Sequence, residues 1–188
     1  IVHEFSGTGD SVLGPIMLEP GVLFLVAGHN GQSNFIVQIV GASGSEELSI
    51  NEIGRYTGIR AHAVSSGSSL FGLVSGTHRI QVQADGPWTL ELIQERPSGG
   101  APPPISNEGN GDNVIRWLNL RKGQYVLTAS HDGQSNFIVQ LLKSDGSQTE
   151  YLVNDIGAYS GQTLIQVGSN LFDLKPGLYA LVVQADGS

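Results

Sequence analysis

The string GQSNFIVQ fills residues 31–38 and fills residues 133–140 again without a change. A histidine stands two positions before each copy, His29 and His131. The match runs outward: Gly9-Asp10 with Gly111-Asp112, Pro20-Gly21 with Lys122-Gly123, Asn51-Glu52-Ile53-Gly54 with Asn154-Asp155-Ile156-Gly157. Tyr56 and Gly58 return as Tyr159 and Gly161, and Ser69-Leu70-Phe71 returns as Asn170-Leu171-Phe172. QADG occupies 83–86 and again 184–187. The offset stays between 101 and 103 residues, so one module is written twice. Repeat 1 is placed at residues 1–95 and repeat 2 at 105–188. Between them, residues 96–104 carry Gly99-Gly100 and then Pro102-Pro103-Pro104, a flexible stretch followed by an extended one, as in a spacer.

Within a copy the apolar residues come in short runs with a two-residue alternation, and no long segment has helical periodicity. Residues 22–28 and 35–40 are two such runs, and Asn30-Gly31 between them predicts a hairpin. Asp132-Gly133 plays the same part in the second copy. Further strands are predicted near 11–18, 46–51, 59–64, 78–84 and 88–94, the last two joined across Asp85-Gly86. Trp88, Leu90 and Leu92 alternate with Thr89 and Glu91, which assigns one buried and one wet face. Seven or eight short strands in each copy predict an all-β protein of two tandem β-sandwich domains, jelly-roll or Greek-key-like.

Composition narrows the function. Hydrophobic residues make up 39 % of the 188, enough for a core in each copy, while charged residues are only 14 % against roughly 25 % in ordinary soluble domains. The net charge of −8 comes without any basic patch, which argues against nucleic acid as a partner. With no cysteine there is no disulfide, thiolate metal site or thiol nucleophile. No apolar run reaches the roughly 20 residues of a membrane-spanning helix. Serine is plentiful, but no G-x-S-x-G elbow occurs. The expectation is a protein without catalytic residues, metal or cofactor.

The segments Pro20-Gly21-Val22 through Val26 and Pro176-Gly177-Leu178-Tyr179 through Val183 resemble the Pro-Gly-led strands of bacterial extracellular sandwich modules of the prepeptidase C-terminal type. That resemblance implies a secreted or cell-surface, non-catalytic accessory or structural module.

Several residues are candidates for a site. His29 and His131 recur, with Asp10 and Asn34, or Asp112 and Asn136, as conceivable co-ligands; the plainer expectation is an imidazole beside a turn bonding a backbone carbonyl. Gln32-Ser33-Asn34 reads as a polar recognition loop or, more simply, as turn chemistry. Residues 107–113 bear oxygen-rich side chains like a calcium loop, but the first copy has fewer carboxylates there, so no metal is assigned. Tyr56 and Tyr159 align and, with His29 and His131, are the candidates for binding a polysaccharide; corner packing is the alternative. Trp88 and Trp117 do not align. His3, His62 and His78 have no counterpart and are expected at the surface.

The copies differ at their ends. Copy one continues past Asp85-Gly86 into Trp88–Ile93, whereas copy two reaches Ser188 just after Asp186-Gly187. A shortened chain, a piece of a longer parent array and a strand supplied by another subunit all account for this. Ile1, Val2, His3, Glu4 and Phe5 alternate as Trp88–Leu92 do, which suggests head-to-tail strand complementation: residues 1–5 of one copy would meet Asp186, Gly187 and Ser188 of the next. The expected function is a non-catalytic extracellular structural protein that forms filaments with itself; an accessory module for carbohydrate or cell-envelope ligands is the alternative.

Overall fold

The computed structural model describes residues 1–67 and 72–188, so Ser69-Leu70-Phe71 of the repeat match lies outside the described residues. The chain is all-β and divides into two units, Ile1–Glu95 and Arg96–Ser188. In the spacer, Ala101 exchanges backbone bonds with Trp117 and Asn119, so this part of the Gly/Pro stretch is tied to the second unit.

Among its described residues unit 1 has nine strands: β1 (Val2–Thr8), β2 (Ser11–Leu18), β3 (Gly21–His29), β4 (Asn34–Gly41), β5 (Glu46–Ile53), β6 (Tyr56–Ser65), β7 (Leu73–Val74), β8 (Gly76–Gln83) and β9 (Pro87–Gln94). They form two sheets, ordered β1-β9-β3-β6-β7 and β2-β8-β4-β5. Apart from the two-residue β7, this is the strand order of a jelly roll. The alternation seen in sequence builds the core between the sheets. Phe35, Val37 and Ile39 of β4 point inward with Ile80 and Val82 of β8, against Leu23 and Leu25 of β3. Trp88, Leu90 and Leu92 of β9 are at most 2 % exposed.

Consecutive strands mostly change sheets, and this corrects the hairpin expectations. β3 pairs with β6 and β9, and β4 pairs with β5 and β8, so Asn30-Gly31 carries the chain across the core and joins no hairpin. Asp85-Gly86 likewise crosses between β8 and β9, which lie in different sheets. The hairpin proper is β4–β5, which turns through Gly44 at φ 82°.

Unit 2 repeats the plan with β10 (Asn113–Leu120), β11 (Gly123–His131), β12 (Asn136–Lys143), β13 (Thr149–Ile156), β14 (Tyr159–Val167) and β15 (Gly177–Gln184). The sheet β10-β15-β12-β13 matches β2-β8-β4-β5 strand for strand. It even keeps the register shifts, at Ile115/Leu118 where unit 1 has Leu13/Ile16 and at Val139/Gln140 where it has Val37/Gln38. Among the described residues the facing sheet consists of β11 and β14, the counterparts of β3 and β6. Among the described residues nothing stands for β9, and residues 104–110, which align with β1, are irregular.

The consequence is visible at equivalent positions. Leu25 is fully buried, while Leu127, its counterpart on β11, is only half-buried. Truncating Leu25 to Ala is therefore expected to cost about 2–5 kcal/mol. Leu127→Ala should cost less, about 1–2 kcal/mol, because part of its side chain already meets water. Urea unfolding, read through Trp88 or Trp117 in single-tryptophan backgrounds, checks the inequality; equal costs would contradict it.

Candidate functional site

Two arrangements collect the repeated residues. The first is a clasp present in both units. His29 ends β3 with its side chain enclosed and its ring stacked on Phe35, centroids 4.6 Å apart and planes 9° apart. Its Nδ1 lies 2.7 Å from the carbonyl of Gly54, and its Nε2 3.3 Å from Oδ1 of Asp85. The other oxygen of Asp85 accepts the backbone N–H groups of Gln32 and Ser33, each at 3.0 Å. Unit 2 repeats the arrangement: His131 is stacked on Phe137 at 4.6 Å, Nδ1 2.9 Å from Gly157 O, Nε2 3.2 Å from Asp186. Gln134 and Ser135 there donate to Asp186 at 3.0 Å.

This clasp explains the identity of the two strings. The carboxylate passes directly over the α-carbon of Gly31, or of Gly133, where any Cβ would collide with an oxygen of Asp85 or Asp186. Glycine is needed there for close approach, and neither Gly31 nor Gly133 has positive φ. The Gln32-Ser33 amides are spent on the aspartate, which makes this segment a crossing held between β3, β4 and β8.

Tyr56 and Tyr159 complete the same assembly. Their rings lie 5.9 Å from Phe35 and 5.5 Å from Phe137, at tilts of 41° and 42°. Both tyrosines are half-buried against the cores, so each His–Phe–Tyr stack is packing at a sandwich end. Asp10 and Asp112 do not join the histidines; they accept the backbone N–H groups of Ala84 and Ala185. Among the described residues no cluster of three or more His, Asp or Glu side chains could hold a metal. His78 is buried, contrary to the surface expectation, because it occupies the position that the fully buried Tyr179 takes in unit 2. His62 is mostly enclosed too, bonded to Ser49 at 2.7 Å, whereas His3 stays half-exposed beside Phe5.

The second arrangement is a groove of about 870 Å³ in unit 2. Its floor is the core itself: Phe137, Val139, Leu181 and Val183. One wall is β11 from Val126 to His131, and the other is the irregular segment 105–109. Gly187 and Ser188 lie at its end. In unit 1 the equivalent space is filled by β9, paired with β3 on one side and β1 on the other. The groove offers an apolar floor and a strand edge that faces no other strand among the described residues.

The structure thus places the candidate interface residues unequally. Gly187 and Ser188 line the groove while Asp186 belongs to the clasp, and Ser188 holds Asp132 through its N–H at 2.8 Å, its Oγ at 2.8 Å and its carbonyl, which accepts from Asp132 N at 3.1 Å. Ile1–Phe5 are elsewhere: Val2 to Thr8 pair residue by residue with Ile93 to Pro87, and Gln94 N donates to Ile1 O. β1 is the outermost strand of its sheet, so this pairing uses one of its two edges. The sequence reading missed Asp85 and Asp186 as partners of the histidines, although QADG recurs as faithfully as the histidines do. It also missed Leu127, Gly109 and Val183 as groove residues, which only the strand order reveals.

No family model matches the chain, and no curated protein matches it. Among solved structures, a single-substitution mutant of Bacillus subtilis oxalate decarboxylase is similar at 12 % identity and a TM-score of 0.20, over 100 % of this chain and 73 % of that one. Similarity at that level carries no argument about fold or activity.

The amide of Gln32 first, with that of Ser33, holds Asp85 below the usual carboxylate value of 3.8, and the amides of Gln134 and Ser135 do the same for Asp186. A folded value below the unfolded one means that this stabilisation is complete above 3.8 and is lost as pH falls through the lower folded value. Acid unfolding followed by circular dichroism should show stability falling below about pH 4. Asp85→Asn with Asp186→Asn should be less stable at pH 7 and should show a shallower loss in acid; an unchanged acid profile would contradict the clasp.

Proposed function

We propose that the chain is a non-catalytic structural protein of the cell surface or extracellular space, whose second jelly roll accepts a β-strand from outside it and so joins bodies head to tail. The single observation that carries this reading is the groove beside β11. A sheet edge next to an open core is normally avoided or covered, because it presents unpaired backbone groups and apolar side chains together. Adding a strand satisfies both at once, and recognition of that kind needs no reactive side chain. Because donor and acceptor are different surfaces, the contact can repeat from copy to copy. The extracellular placement rests on the resemblance of the Pro-Gly-led strands.

For a second copy to donate residues 1–5, its β1 would first have to leave β9.

The test is to extend the chain after Ser188 with a copy of Trp88–Gln94, so that unit 2 is completed from within. The native chain is expected to associate at high concentration, by light scattering and negative-stain microscopy. The extended chain should stay monomeric, with its Tm raised by about 10 °C or more, since burying one Trp and two Leu side chains is worth several kcal/mol. If both chains are monomeric with the same Tm, the proposal is wrong.

A further inference from the structure

One repeated pair of apolar residues stays outside the core. Leu171 and Phe172 lie in the loop between β14 and β15, 89 % and 93 % exposed, more than any other large apolar side chain among the described residues. The loop holds them there by design of its hydrogen bonds. Asp173 Oδ2 accepts the N–H groups of Ser169 and Asn170, each at 2.8 Å, and Asn170 Oδ1 accepts that of Phe172 at 2.9 Å. Gly168 leaves β14 at φ 67°, and its N–H bonds Leu174 O at 2.8 Å. Leu174 is buried, and the Gln148 side chain ties the residues on both sides of it, accepting from Lys175 N at 3.0 Å and donating to Asp173 O at 3.4 Å. Two large apolar side chains displayed together on a fixed protrusion mark a contact surface.

Charge around the tip narrows the partner. The chain has three lysines, Lys122, Lys143 and Lys175, and all three stand at the base of this loop. The stem of Lys122 lies against Gly168, that of Lys143 against Gly177, and Lys175 follows Phe172 by three residues. Lys143 is paired with Asp145 at 2.6 Å. Lys122 and Lys175 are exposed, as is Arg121 beside them. The aspartates here are already engaged, Asp145 by Lys143 and Asp173 by the loop amides. A cationic collar thus surrounds the tip on a chain whose net charge is −8. It belongs to the second copy: where that copy has Arg121, Lys122, Lys143 and Lys175, the first has Glu19, Pro20, Gly41 and Val74.

We propose that this tip is a membrane-surface site: Leu171 and Phe172 enter an anionic bilayer at the boundary of headgroups and acyl chains, while Lys122, Lys175 and Arg121 meet the lipid phosphates. A convex tip of two side chains buries far less than the roughly 1,200 Å² of a specific protein interface. A fluid bilayer takes up such a tip without a matching pocket, and the attraction of the collar for anionic headgroups adds to the burial of the tip. The contact is peripheral and reversible, and it is independent of strand acceptance by unit 2.

The full chain is mixed with vesicles of phosphatidylcholine alone, or of equimolar phosphatidylcholine and phosphatidylglycerol, and bound protein is read by flotation. It is expected to bind the mixed vesicles, and to bind phosphatidylcholine alone at least about 10-fold more weakly. Leu171→Ser with Phe172→Ser should weaken binding to the mixed vesicles by at least about 10-fold with Tm unchanged, because both side chains are exposed in the free protein. Lys122→Gln with Lys175→Gln should weaken it by a similar factor, as should added salt. Phe172→Trp should keep binding, its emission shifted to the blue and quenched by brominated acyl chains. Absence of flotation with both vesicles would overturn the site, and so would flotation undiminished by the serine substitutions. Loss of flotation in the lysine variant alone would mean a contact without insertion, which also contradicts the proposal. A native chain that ignores vesicles but self-associates until the serine substitutions are made would assign the tip to a protein contact instead.

Discussion

Backbone pairing along the inner strand of the first sheet decides how far each sandwich closes. On β3 both edges are used, by β6 and by β9, and the side chains it sends inward are sealed. On β11 only the β14 edge is used, and the same sequence positions open onto a groove. Leu25 and Leu127 are the same residue at the same strand position, while on the other face Val22, Phe24 and Val26 of β3 give way to Gln124, Val126 and Thr128 of β11. What differs at the inward positions is whether a neighbour completes the ladder. The irregularity of residues 104–110 follows, because β1 exists in unit 1 by pairing with β9 and with no other strand.

The clasp works at the opposite level, locally and identically in both units. Each chain crossing between the sheets must be pinned, since no hairpin geometry holds it. An aspartate from the β8–β9 or β15 end supplies the pin, reaching two backbone amides and the edge of a stacked imidazole. The demand falls on a few atoms, so the residues around them recur unchanged while the rest of the module drifts. In unit 2 the same clasp stands at the end of the groove, with Asp132 and Ser188 beside it. Asp132 is held below the usual carboxylate value chiefly by the Ser188 amide and then by its hydroxyl.

Much of the fold was legible because its signals are local. Period-two alternation located the strands, from Ser11–Leu18 to Pro87–Gln94, within a few residues. The duplication divided the readable pattern into two sandwiches. What was not legible is partnership between distant strands. Asn30-Gly31 and Asp85-Gly86 have hairpin chemistry, yet here the glycines serve clearance: Gly31 lies under the Asp85 carboxylate and Gly86 against the Asn30 backbone. Alternation in Ile1–Phe5 correctly showed a strand with a buried face but could not tell which strand it pairs with, and its own β9 is the partner. His78 had no repeat partner because tyrosine replaces it, so comparison of the copies concealed its burial. The walls of the groove in unit 2 come from strands far apart in the chain and required the strand order.

The account stands on an open edge at β11, and amide hydrogen exchange reads that edge directly. N–H groups alternate sides along a strand, so Val126, Thr128 and Ser130 hold the positions from which Phe24, Val26 and Gly28 face β9. The expected result is that these three β11 amides exchange faster than their β3 counterparts by orders of magnitude, while Leu127 and Ala129, which face β14, stay protected. Equal protection of the two sets in the isolated chain would mean that the edge is closed, and the account would fail.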